Sequence, residues 1–281
     1  MSTKRRGRGE RGKPAHGQKD HARRGRERSG QERGRGRGSR KGPEAGHCVV
    51  GRRFVVEAIR GGTVERIFVH DALREKIPDL IQLAEEAPNI ALVFESLEHL
   101  DARADGIKHQ GVVAFGPPFP FATLDDLRAH DAPLLIALDE VQDPHNLGAI
   151  LRSALAFGAE GAILPVHRSA TVTPTVVRAS AGASERLPIA RVTNLQRSLQ
   201  DLDQAGMDVV GLSADGDVSI DALGAAPLGR VLVVGSEGTG LRRLVRQRCT
   251  RMARIPQMSG FDSLNASVAA ALALYEASQT R

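Results

Sequence analysis

The sequence has few of the features that indicate a membrane segment or a metal centre. No apolar run reaches the about 18 residues that a transmembrane helix needs, so we expect no membrane contact. The two cysteines, Cys48 and Cys249, lie far apart and form no CxxC or Cys/His spacing. We therefore predict neither a zinc site, nor any other metal cofactor, nor a disulfide framework, and we interpret both thiols as buried or free in a reducing compartment.

The positive charge of the chain is concentrated at its amino-terminus. Residues 1–45 carry 16 Lys and Arg against 5 Asp and Glu, whereas the rest of the chain carries 23 against 28. This basic tail, with "RRGRGERGK" and "ERGRGRGSRKG", has almost no apolar residues, so burial cannot offset the entropy lost on ordering. We predict that it is disordered. Its Arg-Gly runs are typical of segments that bind phosphates, with a tail of no function as the alternative.

The tail also bears on the location of the protein. It contains no apolar segment of the kind found in secretory signals, and acidic residues interrupt the pattern of a mitochondrial presequence. We therefore expect a cytoplasmic protein.

Hydrophobic periodicity divides the rest of the chain into two α/β units. Residues 46–118 predict a small α/β sandwich, and the proline-rich segment 119–132 predicts a linker with one helical turn. In residues 133–281, strands alternate with helices through short connections, which is typical of a mostly parallel sheet covered on both faces. In the first unit, the hydrophobic pattern predicts helices at 51–60, 77–86 and 97–103, and strands at 64–70, 91–95 and within 109–116. In the second unit, it predicts strands at 134–138, 162–165, 189–192, 208–213, 230–235 and 252–256, and helices at 147–157, 174–183, 195–205, 241–248 and 264–278.

Three polar loops follow predicted strands of the second unit, at residues 139–148, 235–241 and 255–265. Ligands bind at this carboxyl edge in open α/β sheets, and each loop also opens a helix, whose free N–H groups favour anions or carbonyl-rich ligands. The glycine loop "GSEGTG" fits neither the GxGxxG dinucleotide motif nor a phosphate-binding P-loop, because it lacks that glycine order and the Lys-Ser/Thr pair. Alone, it is more typical of a tight turn.

Taken together, the loops are far more specific. The segments "DPHNLGAILRSA", "VVGSEGTGL" and "IPQMSGFDSLNASVAAALALYEA" resemble, in order, spacing and strand context, the three motifs of the SpoU/TrmH family of RNA ribose 2′-O-methyltransferases. The small unit ahead of the motifs and "RVTNL" between them are similar to RlmB-type enzymes, which methylate a guanosine in large-subunit (23S) ribosomal RNA. Gln257, Gly260 and Ala266 depart from the commoner third motif, at positions where a loop packs on a helix.

The resemblance implies a fold, a cofactor and partners. It implies a SPOUT catalytic domain over residues 133–281, a parallel sheet with a deep trefoil knot. It also implies an L30e-like α/β domain over residues 46–118 that binds the RNA substrate. The implied cofactor is S-adenosylmethionine in a bent form. The implied partners are ribosomal RNA and a second copy of the chain in an obligate homodimer.

Four residues are implied cofactor contacts. Gly235, Ile255 and Leu264 would hold the adenosine chiefly through backbone groups, and a glycine at 235 permits close backbone approach. Ser263 is the fourth candidate, with the N-cap of the last helix as its alternative role.

The implied catalytic residues are Asn146 and Arg152, with Glu237 and Asn265 orienting Arg152 and the loops. Methyl transfer to a hydroxyl requires alignment of the oxygen and loss of its proton. Because the very high pKa of an arginine excludes it as a base, we expect Arg152, in the second turn of its helix, to hold the ribose 2′ oxygen and a phosphate with its planar fork. His145 is the alternative base.

Two alternatives concern the whole protein. It could methylate transfer RNA, or it could be an RNA-binding relative without catalytic activity, which the presence of all four catalytic residues disfavours. Leu264, Val268 and Leu272 recur at helical spacing, and with Tyr275 they predict core or a dimer interface.

Overall fold

The computed structural model describes residues 46–258 and 264–280. The predicted disordered tail, Gly260 and Ser263 lie outside these residues. The described residues belong to one compact unit, Gly42–Arg281, which contains two β-sheets. Among the helices described, none combines the length and the apolar character that crossing a bilayer requires.

The first sheet and its helices form the amino-terminal sandwich, residues 46–116. Its four strands run in the order β1-β4-β2-β3, antiparallel except for the parallel pair β2 and β3. Residues of α1 and α2 cover one face and residues of α3 cover the other. The strands are β1 (His47–Val50), β2 (Arg66–His70), β3 (Ala91–Glu95) and β4 (Val112–Gly116). The helices are α1 (Arg52–Arg60), α2 (Pro78–Glu86) and α3 (Leu97–Ala104).

One strand of this sandwich was not predicted. β1 has four residues and pairs with β4, from His47 opposite Gly116 to Val50 opposite Val113. So short a strand gives no usable alternation, and its partner lies more than 60 residues away, so the sequence pattern carries little signal for it. The strand predicted within residues 109–116 begins at Val112, so His109 lies before it.

The linker contains the helical turn that was predicted, α4 (Leu124–Arg128). Thr123 and Asp126 form a capping box at its start, each side chain accepting a hydrogen bond from the backbone N–H of the other. Ala122 forms a bridge with Ala190 of the second sheet, so the linker is attached to that sheet.

The second sheet and its helices form the carboxyl-terminal sandwich, residues 134–279. Its seven strands are all parallel and run in the order β7-β6-β5-β10-β8-β11-β9. The strands are β5 (Leu134–Asp139), β6 (Gly161–Pro165), β7 (Ile189–Val192), β8 (Asp208–Leu212), β9 (Val218–Ser219), β10 (Arg230–Gly235) and β11 (Arg251–Arg254). The helices are α5 (Pro144–Ala156), α6 (Pro174–Ala179), α7 (Leu195–Gln204), α8 (Arg243–Arg246) and α9 (Ala266–Gln279).

Alternate residues of the central strands enter two hydrophobic layers. Leu134, Ile136 and Leu138 of β5 pack in the layer with α5, α6 and α9, whereas Leu135 and Ala137 pack in the layer with α4, α7 and α8. Both faces are therefore buried, as the alternation of strands and helices through short connections predicted. The first layer continues into the core of the amino-terminal sandwich.

The structure corrects the start of α5. Asp143 caps this helix by accepting a hydrogen bond from the N–H of His145, and Pro144 occupies its first position. His145 and Asn146 therefore lie in its first turn rather than in a loop, and Arg152, the ninth residue, lies in the third turn rather than the second. The two-residue strand β9 was not predicted, and α8 has four residues rather than eight.

Candidate active site

The carboxyl ends of the central strands bring the three motif loops together. Gly235, the last residue of β10, pairs in register with Asp139, the last residue of β5, so two of the loops start side by side. β11 lies two strands away, beyond β8, and leads into the third loop. In a parallel sheet this edge is where ligands bind, and the direction in which the strands are added reverses next to β5 and β10.

A pocket of about 540 Å³ opens at this edge. Its walls come from the ends of β8, β10 and β11, the glycine loop and the start of α9. The volume lies within the about 300–1,000 Å³ typical of small-molecule sites. Five of the sequence-predicted residues line it: Gly235, Glu237, Ile255, Leu264 and Asn265.

A line of polar side chains joins the three motifs beside the pocket. The amide nitrogen of Asn265 donates to Oδ1 of Asn146, 3.1 Å away, and also to Oε1 of Glu237. Asn146 is 8% exposed, whereas Glu237 and Asn265 are exposed to solvent. The structure therefore brings together three of the four predicted catalytic residues, one from each motif.

Asn265 has a second role, because it is the N-cap of α9. Its Oδ1 accepts hydrogen bonds from the N–H groups of Ser267 and Val268, at 2.9 and 3.3 Å. The alternative prediction of Ser263 as this N-cap was therefore wrong. One amide thus caps the helix with its oxygen and contacts the other two motifs with its nitrogen.

Arg152 does not join this group. It follows Asn146 by six positions, which places the two side chains about 120° apart around the helix. Asn146 faces inward, while Arg152 is exposed, and its guanidinium has no hydrogen-bond or ion-pair partner within the described part of the chain. His145 is exposed as well, on the first turn.

A charged cluster behind the glycine loop was missed by the sequence reasoning. Asp139 is fully buried and accepts hydrogen bonds from the backbone N–H of Arg242 at 2.8 Å and from its Nε at 2.7 Å. Glu140, with a left-handed φ of 59°, lies 3.4 Å from the same guanidinium. The hydrogen bonds to Asp139 raise the pKa of Arg242. A carboxylate directly after an apolar strand was the available signal, since a buried carboxylate needs a cation or several donors.

Because Gly235 has no side chain, the glycine loop can fold back closely against it. A Cβ built there would lie 2.2 Å from the carbonyl carbon of Gly240, because Ser236 and Gly240 exchange backbone hydrogen bonds of 3.2 and 3.0 Å. Gly240 has a φ of 65°, which favours glycine. The close backbone approach expected at Gly235 is thus made by the returning loop, and this folds the loop into a wall of the pocket.

Neither cysteine has the lowered pKa of a reactive thiol. Burial raises the pKa of Cys48 to about 11 and that of Cys249 to about 12, so both are protonated near neutral pH, and both are free. No group of three or more His, Cys, Asp or Glu able to hold a metal ion occurs between residues 46 and 258 or between 264 and 280.

Two protein-family models match the chain. The model described as the SpoU rRNA methylase family matches residues 133–275. The model described as RNA 2′-O ribose methyltransferase substrate binding matches residues 48–122.

Individual proteins resemble the chain over most of its length. A protein of Mycolicibacterium gilvum, named an uncharacterized tRNA/rRNA methyltransferase, is 42% identical over 254 residues, which cover 87% of this chain and 80% of that protein. A similar protein of Mycobacterium avium is 43% identical over 249 residues, covering 86% and 80%.

Solved structures share the fold. An S-adenosylmethionine-bound rRNA methyltransferase from Sinorhizobium meliloti has a TM-score of 0.70 at 26% identity, covering 83% of this chain and 87% of that one. The SpoU methyltransferase AviRb from Streptomyces viridochromogenes, in complex with the same cofactor, has a TM-score of 0.70 at 27% identity, covering 83% and 89%.

Proposed function

Because the chain belongs to the SpoU family of S-adenosylmethionine-dependent RNA methyltransferases, we propose that it methylates the ribose 2′ oxygen of a guanosine in large-subunit (23S) ribosomal RNA. The observation that carries this proposal is the line of side chains Asn146, Asn265 and Glu237 beside the pocket. It supplies amide and carboxylate groups, which suit a hydroxyl nucleophile and its neighbouring ribose atoms. The family model that matches residues 48–122 is described as RNA 2′-O ribose methyltransferase substrate binding. This description supports the ribose 2′ oxygen as the methyl acceptor.

The pocket fits the cofactor. Its lining includes the apolar side chains of Val234, Ile255 and Leu264, which suit an adenine ring. Gly235 and the glycine loop also line it, and their backbone groups can hold the ribose and the amino-acid part. Small-molecule sites have this mixture of apolar walls and few polar groups. Ser263, outside the described residues, stays a candidate contact on sequence grounds.

The chemistry assigned to the residues is simple. Bound S-adenosylmethionine supplies a methyl group on a positively charged sulfur. The ribose 2′ oxygen would accept that methyl group, S-adenosylhomocysteine would leave as a neutral thioether, and the hydroxyl proton would pass to the adjacent phosphate or to water. Asn146, Asn265 and Glu237 align the hydroxyl, and Arg152 holds the phosphate with its planar fork. Such alignment is the main requirement of an in-line displacement.

The position of Arg152 supports a site shared between two chains. It lies on α5, which packs along α9, and α9 exposes Val268, Leu272 and Tyr275 at 46%, 41% and 47%. These three side chains do not belong to the core of the single chain. Of the two roles predicted for them, core or dimer interface, we therefore propose the dimer interface. A second copy covering this surface would lie next to Arg152 and bring it near a pocket. A homodimer is thus proposed together with the partner-completed site.

Mixing two inactive variants tests the shared site. Arg152→Ala and Asn265→Ala chains are co-expressed with different tags, and mixed dimers are purified by both tags. If each site uses Arg152 of one chain and Asn265 of the other, mixed dimers regain about half of the wild-type activity, because one of their two sites is intact. Mixed dimers as inactive as their parents, or a monomer near 30.0 kDa with full activity, contradict the shared site.

The function is tested by mapping 2′-O-methyl groups. RNA is isolated from cells with and without the gene, and positions protected from alkaline cleavage are compared. The proposal expects one guanosine of large-subunit ribosomal RNA to lose protection in the deletion and to regain it with wild-type protein but not with Arg152→Ala. A transfer-RNA position that behaves this way replaces the substrate, and unchanged profiles refute ribose methylation by this enzyme.

A further inference from the structure

A buried polar contact joins the two sandwiches. His47 lies on β1 of the amino-terminal sandwich, and Glu185 lies in the 3₁₀ turn Ala183–Glu185 that follows α6. Nε2 of His47 is 2.9 Å from Oε2 and 3.1 Å from Oε1 of Glu185. The two side chains are 2% and 0% exposed. No role in the proposed chemistry accounts for this pair, which lies outside the pocket lining.

Further hydroxyls complete the group around the carboxylate. Thr63, between α1 and β2, donates its hydroxyl hydrogen to Oε2 of Glu185. Ser184 donates to Oε1 at 3.4 Å, and the hydroxyl of Ser180 lies 3.2 Å from that of Ser184. All three hydroxyl residues are at most 3% exposed. Both oxygens of Glu185 therefore have partners, as a buried carboxylate requires: Oε2 has His47 and Thr63 of the amino-terminal sandwich, and Oε1 has His47 and Ser184.

The end of α6, just before this turn, packs against the helix that carries the catalytic candidates. A Cβ built at Gly148 of α5 would lie 2.4 Å from Cβ of Ala179 and 2.9 Å from the backbone nitrogen of Ser180. Gly148 is two residues beyond Asn146, so α5 and the end of α6 touch without a gap next to the site. The turn that holds Glu185 begins three residues after Ser180 and itself packs against α5.

The two sandwiches are also in close contact around Glu185. A Cβ at Gly61, at the end of α1, would lie 2.0 Å from the carbonyl oxygen of Glu185, so only glycine allows this approach. Arg178 donates to the carbonyl oxygen of Lys108 at 2.8 Å, a further hydrogen bond between the sandwiches. The relative orientation of the two sandwiches is therefore fixed by directional contacts as well as by apolar packing.

We propose that His47 and Glu185 are positioning residues, which lock the RNA-binding sandwich at the orientation that delivers the target ribose to the pocket. The inference rests on RNA methyl transfer and does not depend on which ribose is methylated. A hydrogen-bonded pair has a defined geometry, whereas an apolar contact can slide. Misplacement of a substrate by about 1 Å can reduce a rate about 10²-fold, so an orienting contact far from the chemistry has leverage on the reaction.

The test uses the full-length enzyme and two near-isosteric variants, Glu185→Gln and His47→Gln. The probe is RNA from cells lacking the gene, with tritiated S-adenosylmethionine as methyl donor. We expect single-turnover rates at saturating RNA and cofactor to fall by about 10- to 100-fold, while cofactor affinity measured by calorimetry changes less than twofold. Because both residues act through one contact, the double variant should be no slower than the slower single variant.

Two further variants separate positioning from folding. Thr63→Val removes one hydrogen bond to Glu185 with little change of shape, and it should give a smaller rate loss of the same kind even if Glu185→Gln folds poorly. His109→Gln removes a histidine–carboxylate contact, 2.9 Å to Asp101, that lies wholly within the amino-terminal sandwich. Its rate should stay near that of the wild type.

The outcomes decide the role directly. Rate loss confined to the contact between the sandwiches, with intact cofactor affinity, supports positioning. Equal rate loss in His109→Gln assigns the effect to general damage of the sandwich and overturns the proposal. Wild-type rates in Glu185→Gln and Thr63→Val, with only a lower melting temperature, show a purely structural contact. Loss of cofactor affinity in either variant overturns it too, because the pair would then support the pocket.

Discussion

The two edges of the large sheet use polar side chains in opposite ways. At the amino edge, where β8, β10 and β11 begin, Arg230 is 3% exposed and donates to Asp208, Thr280 and two backbone carbonyl groups. At the carboxyl edge, Glu237 and Asn265 are exposed beside a pocket, and Arg152 has no side-chain partner among the described residues. Fully satisfied groups stabilise the fold, whereas groups with spare hydrogen-bonding capacity are available to a ligand.

The largest expected effect concerns stability at the amino edge. Arg230→Met leaves the carbonyl oxygens of Leu223 and Gly224 without this donor and weakens the hold on Asp208. The free energy of unfolding should fall by about 3–5 kcal/mol, the cost of removing one partner of a buried charged pair. Urea denaturation measures it. Arg128→Met breaks an exposed 3.4 Å pair with Asp125 and should cost less than about 1 kcal/mol, so similar losses in both would contradict the comparison.

The next effect concerns catalysis at the carboxyl edge. Arg152→Lys keeps the charge but loses the planar fork, so turnover should fall by about 10²–10³-fold, or about 2–4 kcal/mol, with unchanged stability. Single-turnover rates measure it, and cofactor affinity should barely change because the pocket lining does not include Arg152. His145→Ala is the control and should cost less than about tenfold. The reverse order of the two variants would make His145 the base.

A smaller effect separates the two functions of Asn265. Asn265→Ser keeps an oxygen that can cap α9 but removes the amide donor to Asn146 and Glu237, so single-turnover rates should fall by about 10- to 100-fold with little loss of stability. Asn265→Ala also removes the cap and should unfold about 1 kcal/mol more easily than the serine variant. Equal stability of the two variants would show that the cap contributes nothing.

The smallest effect is the pH dependence of the amino edge. Burial raises the pKa of Asp208, but hydrogen bonds from Arg251 and Arg230 outweigh it, so the pKa lies below its ordinary value of 3.8. Its contribution to stability is therefore complete above about pH 4 and is lost as the pH falls through the folded-state pKa. In thermal melts, Asp208→Asn should lose less stability than the wild type between pH 4 and pH 2.5. Parallel profiles would contradict this assignment.

The sequence predicted the central strands better than the contacts between them. β7 and β10 have their predicted bounds, and β5 extends by one residue, because buried parallel strands are continuous apolar runs between turn residues. The start of α5 could have been predicted as well, since an aspartate followed by proline marks a helix start. The predicted knot, homodimer, domain boundaries and individual residue roles stay predictions.

Other features lay beyond any local pattern. Asp139 meets Arg242 across 103 positions, and His47 meets Glu185 across 138. Nothing in the residues near Glu185 shows that its carboxylate will be fully buried between two sandwiches. The three motif loops could be placed at one edge of the sheet from the strand pattern, but their roles came from the resemblance to a known family.

The position of β10 between β5 and β8 has a consequence for synthesis of the chain. β6 follows β5 after about 20 residues and fills one of its edges, while the partner for the other edge is about 90 residues further along and follows about 5–20 s later. During that time an apolar strand presents unpaired backbone groups, a template on which another nascent chain can add. Addition of β10 to the open edge of β5 thus also removes this template.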